Sequence, residues 1–568
     1  MPMGRRKAPF SKKKRKEYIK VRKERKKLMS SLPDEDNDER EVCQMPDSKV
    51  EDLQNADNHG KGPGVDFLEE IEAINQQPRS RGNTNRYNLK FKKETTEERK
   101  SRKAAHYTEI EPLPERALEA TTELFFPTGL RYPDRPPWNK RMSKQELDIS
   151  ENRHFRLFCE NLERDLNNRE LSPYELNLET WRQLWRVTEM SDIILIIVDA
   201  RYSVAQFPPY LYEHLVKRER DIILVMNKCD LVPGSVVKAW QHYFQTHYPR
   251  LTHIPFSSLV GHCSMRLVDA CRNIVGEAVN LQSWGNKVEK DTCSSELSEV
   301  ALGPPEVEED VMEDDTVNNT QPEYYQRFRD DILTIGTIGY PNVGKSSLIN
   351  ALVGKKVVSV SKTPGHTKHF QTIFLTKTVK LCDCPGLVFP SCLTRPLQVI
   401  SGSYPIAQVR DPIGVVRYIA SRLDLPRILK LKHEMISDDE DKTEKWTPYY
   451  ICEAWAEKRG YYTRKGGYPD VSRAANELLR LCCTGQKSLV LYFRPPGYIT
   501  NRDKYETDTM TEAVEGIPGF FAVLDNVAEE DTDEGETSEE TSINGSEDEE
   551  SEEEMVPSNR FALLSNDD

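Results

Sequence analysis

Short apolar runs alternate with helically spaced ones along the middle of the chain. Ile193-Ile-Leu-Ile-Ile-Val198 and Ile222-Ile-Leu-Val-Met226 are continuous, and Ile254-Pro-Phe256 is a shorter third run. Their length and β-branched content predict strands. Upstream, Phe155, Phe158, Leu162 and Leu166 recur at three and four, followed by Leu184 and Val187, which predicts helix across 151–190. Leu267 to Val279 reads as another helix. Order then breaks over 285–328 and resumes at Ile332-Leu-Thr-Ile-Gly-Thr-Ile338, a strand running into a glycine loop; Ser347 to Val353 begins the next helix. Phe370 to Leu375 and Val379 to Cys382 read as a pair of strands. Strands alternating with helices imply an α/β fold with a mostly parallel, doubly wound sheet.

Beyond that sheet the spacing changes again. Val415 to Leu423, and Ala474, Ala475, Leu478, Leu479 and Leu481, have helical periodicity, and the stretch closes on Leu489 to Pro496. Residues 404–520 therefore read as a separate, largely helical block. Residues 111–150 hold clustered prolines (Pro112, Pro114, Pro127, Pro133, Pro136, Pro137) suited to extended or turn conformations. The organisation expected is a basic, largely disordered arm (1–110), a Pro-rich and helical lead-in (111–177) and the α/β domain (178–418) with an acidic insert at about 285–328. A helical C-terminal block (419–520) and an acidic disordered tail (521–568) follow.

Charge sharpens this division. The net charge of −14 over 568 residues averages two opposite ends. Residues 5–27 carry fourteen Lys or Arg, whereas 527–568 carry seventeen Asp or Glu against the single Arg560, and without that tail the rest of the chain is close to +2. Like-charge blocks of this kind read as interaction tails. The basic arm can pair with RNA phosphates or serve as a nuclear import signal. Ser546 and Ser551 precede acidic residues and are candidates for phosphorylation. The twelve cysteines read as reduced thiols, because the close pairs Cys382/Cys384 and Cys482/Cys483 lack the spaced second pair of a structural zinc site. The basic N-terminus has no apolar h-region, and no apolar run reaches ~18 residues, so neither a secretory signal nor a membrane partner is expected.

The chemistry sits at the strand ends. Gly339-Tyr-Pro-Asn-Val-Gly-Lys-Ser346, followed by Ser347, fits a phosphate-binding loop between strand and helix. Gly339 and Gly344 let backbone N–H groups, including those at Asn342 and Val343, turn toward phosphate; Lys345 reaches the β and γ phosphates, and Ser346 offers a hydroxyl to Mg²⁺. Asn227-Lys-Cys-Asp230 ends another predicted strand. Asp230 can accept from guanine N1–H and the 2-amino group, Asn227 can face the O6/N7 edge, and the Lys228 stem can cover the ring. Asp383-Cys-Pro-Gly386 follows Lys345 by 38 residues, so Asp383 can hold Mg²⁺ and the Gly386 N–H can meet the γ-phosphate. Between them, Thr367 is the candidate for a second Mg²⁺ hydroxyl, with Thr363 its competitor and a plain Pro-Gly turn the bland alternative. Ser257 and Ser258 follow the third strand, where their backbone can touch guanine O6 or simply end a strand. The order is unusual, because the base-reading motif precedes the phosphate loop by more than a hundred residues.

These residues resemble the circularly permuted GTPases of the nucleostemin-like (YlqF/YawG) family, over roughly 180–500. The resemblance rests on Asp199-Ala-Arg201, the motifs above, Pro364 to His369, Arg459-Gly-Tyr-Tyr-Thr and Arg494-Pro-Pro496. It implies a P-loop GTPase sheet whose motifs run base readers first, then phosphate loop, first switch and second switch. It further implies binding of GTP and GDP with Mg²⁺ and action on the maturing large ribosomal subunit, with rRNA or the pre-60S particle as partner. Leu387 occupies the place of a water-positioning glutamine, which implies slow intrinsic hydrolysis. Asn342 stands where potassium-stimulated relatives help bind K⁺. An importin contact through the arm, with shuttling between nucleus, nucleolus and cytoplasm, is also expected. Two other readings stay open: a shuttling regulatory GTPase that does not act on ribosomes, and a GTP-sensing scaffold with negligible turnover. The second switch is the last motif, so the chain leaves it directly for the helical block, and a shift there has a short covalent route outward.

Overall fold

Ile193–Asp199 (β1) is buried at every position, and so is Leu333–Gly339 (β4). Strands buried on both faces need helices on both sides, which is the requirement a parallel sheet meets. The computed structural model describes residues 96–139, 141–165, 171–258, 263–295, 327–354, 357–358, 371–433, 445–463 and 467–507. With Asp221–Asn227 (β2), Leu251–Pro255 (β3), Gln371–Thr376 (β5) and Val379–Asp383 (β6), they form one six-stranded sheet in the order β3-β2-β1-β4-β6-β5. All neighbours are parallel except β5 with β6. The first three strands in the chain make one half of the sheet and the last three the other, joined by the β1–β4 pairing of Ile193 with Ile335.

The helices follow in chain order: Thr96–Ala105 (α1), Lys144–Asp165 (α2), Leu178–Met190 (α3), Pro209–Lys217 (α4), Gly234–His247 (α5), Cys263–Val275 (α6) and Gln282–Ser295 (α7). After β4 come Lys345–Val353 (α8), Arg395–Ile400 (α9), Pro412–Ala420 (α10), Pro448–Arg459 (α11) and Val471–Thr484 (α12). Helix α3 buries Trp181, Leu184, Trp185 and Val187, so its apolar stripe supplies one wall of the core. The re-entry to β4 is pinned by Asp192, whose carboxylate accepts the Phe328 N–H (3.1 Å) and the Thr334 N–H (2.8 Å).

Three expectations about segment limits change. The unpatterned insert expected from about 285 starts later, because α7 continues to Ser295 with Trp284 and Val288 in the core. The arm expected to be disordered through 110 is structured at its end. Helix α1 and the chain after it dock on the helical block: His106 Nε2 lies 2.8 Å from Asp411 Oδ1, and the Ile110 N–H reaches Trp446 O at 3.1 Å. The helical block is also not separate, since α10 runs through the expected boundary at 418/419 and the described residues all fall in the compact unit Met1–Ala522. The Leu113 N–H donates to Ser421 O, the Ala120 N–H donates to Arg494 O at 2.9 Å, and the Arg494 N–H donates to Leu118 O at 2.8 Å. A polar strap with little apolar periodicity is thereby held by backbone pairing rather than by an amphipathic face. No disulfide links the described cysteines. Among the described residues no helix is long and apolar enough to cross a membrane. The basic residues 5–27, the switch segment 363–369 and the acidic tail lie outside the described residues.

Candidate guanine-nucleotide site

The motif-bearing loops leave the carboxyl ends of neighbouring strands. Asp199 ends β1 beside Asn227 at the end of β2; Gly339 ends β4 beside Ile197, and Asp383 ends β6 beside Thr337. In open α/β sheets this edge is where ligands bind, and the sheet brings the motifs together whatever their order in the chain.

The phosphate loop turns into α8 at Gly344, which has φ +95°. A Cβ there would lie 2.2 Å from Asn227 Nδ2, so the position combines a left-handed turn with close approach of the base motif. The Leu348 N–H closes the first turn onto Gly344 O at 2.9 Å, so the N–H groups of Lys345, Ser346 and Ser347 lie at a helix N-terminus, where an anion is favoured. Lys345 is buried and donates from Nζ to Gly339 O (3.0 Å) and Tyr340 O (2.7 Å). Burial pushes its ammonium down to about 8, against the opposing pull of Asp383. Ser346 and Ser347 are half-buried in the first helical turn, and Val343 is buried.

The base motif is tied to this loop. Asn227 donates from Nδ2 to Val343 O (2.7 Å), and its Oδ1 accepts the Lys228 N–H (2.9 Å). Its carboxamide thus fastens β2 to the phosphate loop. Lys228, in a left-handed conformation with φ 60°, donates from Nζ to Asn342 O (2.7 Å) and to Asp199 Oδ2 (2.9 Å). Asp230 Oδ1 accepts from Ser257 Oγ at 2.7 Å. Ser257, expected to contribute backbone, is fully buried and orients the Asp230 carboxylate by its hydroxyl; Ser258 beside it is half-buried. Asn342, also left-handed at φ 59°, donates from Nδ2 to Gly402 O at 2.9 Å.

Asp383 fits a magnesium ligand. It is fully buried, its Oδ1 lies 3.4 Å from Thr337 Oγ1, and its Oδ2 has no hydrogen-bond partner among the described residues. Burial raises its carboxyl to about 6, opposed by Lys345. An orphaned carboxylate oxygen beside a buried ammonium and a helix N-terminus is a donor set for a hard divalent cation bound to phosphate. Asp383 and Ser346 would hold the ion, which would neutralise charge on the β and γ phosphates. Thr367 and Thr363 lie outside the described residues. Leu387 buries its side chain and donates its N–H to Gly339 O at 3.2 Å.

A family model described as "50S ribosome-binding GTPase" matches residues 334–435. Guanine nucleotide-binding protein-like 1 of Rattus norvegicus is 43% identical over 488 residues, covering 79% of this chain and 80% of the relative. The chain belongs to the nucleostemin-like family of circularly permuted GTPases. It is likewise similar to GTPase LSG1-2 of Arabidopsis thaliana, 30% identical over 444 residues and covering 73% of this chain and 74% of that one. Among solved structures, GNP-bound YlqF from T. maritima matches with a TM-score of 0.33 and 20% identity over 56% of this chain and 99% of that chain. This GTPase therefore binds guanine nucleotide, with its base-reading motif ahead of its phosphate loop in the chain.

Two residues given no role by sequence join the site of this GTPase. Asp199 and Arg201 are each about 1% exposed, and their carboxylate–guanidinium pair stands behind Lys228. The available signal was an Asp and an Arg closing an otherwise apolar run, a position where a buried charge needs a reason. Gly386 supports a direct test. A Cβ at Gly386 would lie 2.8 Å from Pro341 Cα and 3.1 Å from Lys345 Nζ. Overpacking against backbone costs about 1–3 kcal/mol, so Gly386→Ala should lower GTP hydrolysis at saturating substrate about tenfold, measured by phosphate release.

Proposed function

We propose that this GTPase is a slow switch that works on the large ribosomal subunit during its assembly or export. The observation that carries the slow, partner-dependent part is Leu387. It follows Gly386 where Ras-like proteins place a water-orienting glutamine, its side chain is buried, and its N–H is spent on Gly339 O. A buried leucine has no group to align an attacking water. A partner, or K⁺ bound near Asn342, would supply what is missing.

The ribosomal part is supported by the description of the matching family model as 50S ribosome-binding, and by the fourteen Lys or Arg of residues 5–27, which can neutralise rRNA phosphates. The same arm would serve an importin, giving a protein that shuttles between nucleus, nucleolus and cytoplasm. The acidic tail would shield basic ribosomal proteins, and phosphorylation of Ser546 and Ser551 would add to its charge. The second switch leads straight into α9 and the helices beyond it, so loss of the γ-phosphate would move those helices and release the particle. Buried Leu387 equally favours a second reading, a GTP-sensing scaffold with negligible turnover.

Gradient co-sedimentation with pre-60S particles tests the proposal, with a non-hydrolysable GTP analogue and with GDP. The analogue-bound protein should travel with the particles and the GDP-bound protein should not. A protein that stays at the top in both states removes the ribosomal role. Nucleotide binding with no turnover, even with particles and K⁺ present, selects the scaffold.

A further inference from the structure

We propose that Arg201 is a positioning residue for guanine recognition, and that it couples the last turn of α12 to the base end of the nucleotide site. This rests on the guanine-site reading of Asn227 to Asp230. Arg201 is about 1% exposed. Its guanidinium meets both oxygens of Asp199, Nε to Oδ1 at 3.0 Å and Nη2 to Oδ2 at 2.8 Å. The outer edge of the same fork caps α12: Nη1 donates to Cys482 O and Nη2 to Cys483 O, each at 3.0 Å. A cation at a helix C-terminus is favoured by the helix dipole, and a planar fork satisfies four acceptors in a way that a lysine cannot.

The chain of contacts continues to the base. Asp199 Oδ2, fixed by Arg201, accepts from Lys228 Nζ, which also holds Asn342 O of the phosphate loop. Lys228 is the residue whose stem would cover the guanine ring. Its direction is set by two acceptors, and one of them is set by α12 through Arg201. The helix end is tied down further by Cys483 Sγ on Val399 O at 3.1 Å, and the Phe493 N–H donates to Arg201 O at 2.8 Å. None of these contacts involves Gly386, Asp383 or Lys345, the residues expected at the γ-phosphate and Mg²⁺. The coupling is therefore common to GDP and GTP, and distinct from any movement at Gly386. A buried pair of this kind can be a structural fastener and nothing more, so the test must read recognition rather than stability.

In the full-length protein, Arg201→Lys should speed release of a fluorescent GDP about tenfold, while in a Lys228→Met background the same change should add less than about twofold, because Arg201 acts through Lys228. Equal effects in the two backgrounds, or an unchanged release rate, overturn the assignment. A second measurement needs no variant. The Gly485 and Gln486 N–H groups close the end of α12 on Cys482 O (3.3 Å) and Leu481 O (3.0 Å). Their hydrogen exchange should slow several-fold with GDP and to the same extent with a non-hydrolysable GTP analogue. Slowing with the analogue alone, or with neither, ends the coupling while leaving the site itself intact. A wild-type protein that binds no guanine nucleotide by calorimetry would instead remove the site reading, and the proposal with it.

Discussion

Asp230→Asn should lower GTP affinity by about 10³-fold and create a preference for xanthine nucleotides. A carboxylate accepts from both the guanine N1–H and the 2-amino group. Ser257 holds Oδ1 of that carboxylate at 2.7 Å from a fully buried position, so its orientation is set before any base arrives. An asparagine turns one acceptor into a donor that faces another donor, and sites built on such bonds discriminate by about 10⁴–10⁵. The lower figure is expected because the phosphate contacts of Lys345 and α8 remain. Xanthine offers an oxygen at the 2-position and restores the pairing. Competition of GDP and XDP against a fluorescent nucleotide measures both arms, and an unchanged GTP affinity would sink the assignment of Asp230.

The second large effect belongs to Asp383 and has two opposite signs. Burial holds its carboxyl at about 6, against an ordinary value of 3.8. Between those values the folded protein keeps a proton that the unfolded chain has released, so stability falls as pH rises through that window. Above it the full cost is present, on the order of 2–3 kcal/mol. Lys345 behaves in the mirror sense: its ammonium is lowered from 10.5 to about 8, so stability is recovered as pH rises between those values. Near neutral pH the nucleotide-free site thus carries two costly charges that phosphate and Mg²⁺ would satisfy. Asp383→Asn should therefore raise the thermal midpoint of the nucleotide-free protein at pH 7.5. The gain should shrink toward pH 4, where both folded proteins are neutral at this position. The same variant should lose Mg²⁺-dependent GTP hydrolysis by about 10²-fold. A lower midpoint at pH 7.5 would show that the carboxylate is stabilising in the free protein, against this account.

The parts of this molecule that sequence makes legible are those where chemistry forces a residue type at a strand end. The apolar runs at 193–198 and 222–226 lie within strands, as does the run at 332–338 from Leu333 onward, and the site motifs lie where the sheet ends. What stayed hidden has physical reasons. Helix α11 is buried at every position from Tyr450 to Ala456, so it has no periodic apolar stripe to read. The end of α1 and the chain after it dock through polar groups, Arg417 on Ala105 O at 2.7 Å and His106 on Asp411, which no hydrophobic pattern announces. The motif places Asn227 at the base, but nothing in it announces that the carboxamide also ties β2 to the phosphate loop through Val343 O and the Lys228 N–H. Which acceptor a side chain meets depends on strand order, and β2 lies one strand away from β4 only because β1 separates them.

The strap that joins Leu113, Leu118 and Ala120 to Ser421 and Arg494 has a consequence for biosynthesis. The chain reaches β1 early, yet that strand gains its β4 neighbour only after Leu333 has been made. Arg201 waits longer still, for Cys482 and Phe493, and Trp240 Nε1 for Phe493 O at 3.1 Å. Contacts so distant in sequence form late and slowly. On a translating ribosome, the first half of the nucleotide site would stay unfinished until Cys482 and Phe493 emerge. A nascent chain arrested before residue 490 should hold no guanine nucleotide, and a chaperone that shelters the exposed edge of β1 would set the yield of active protein.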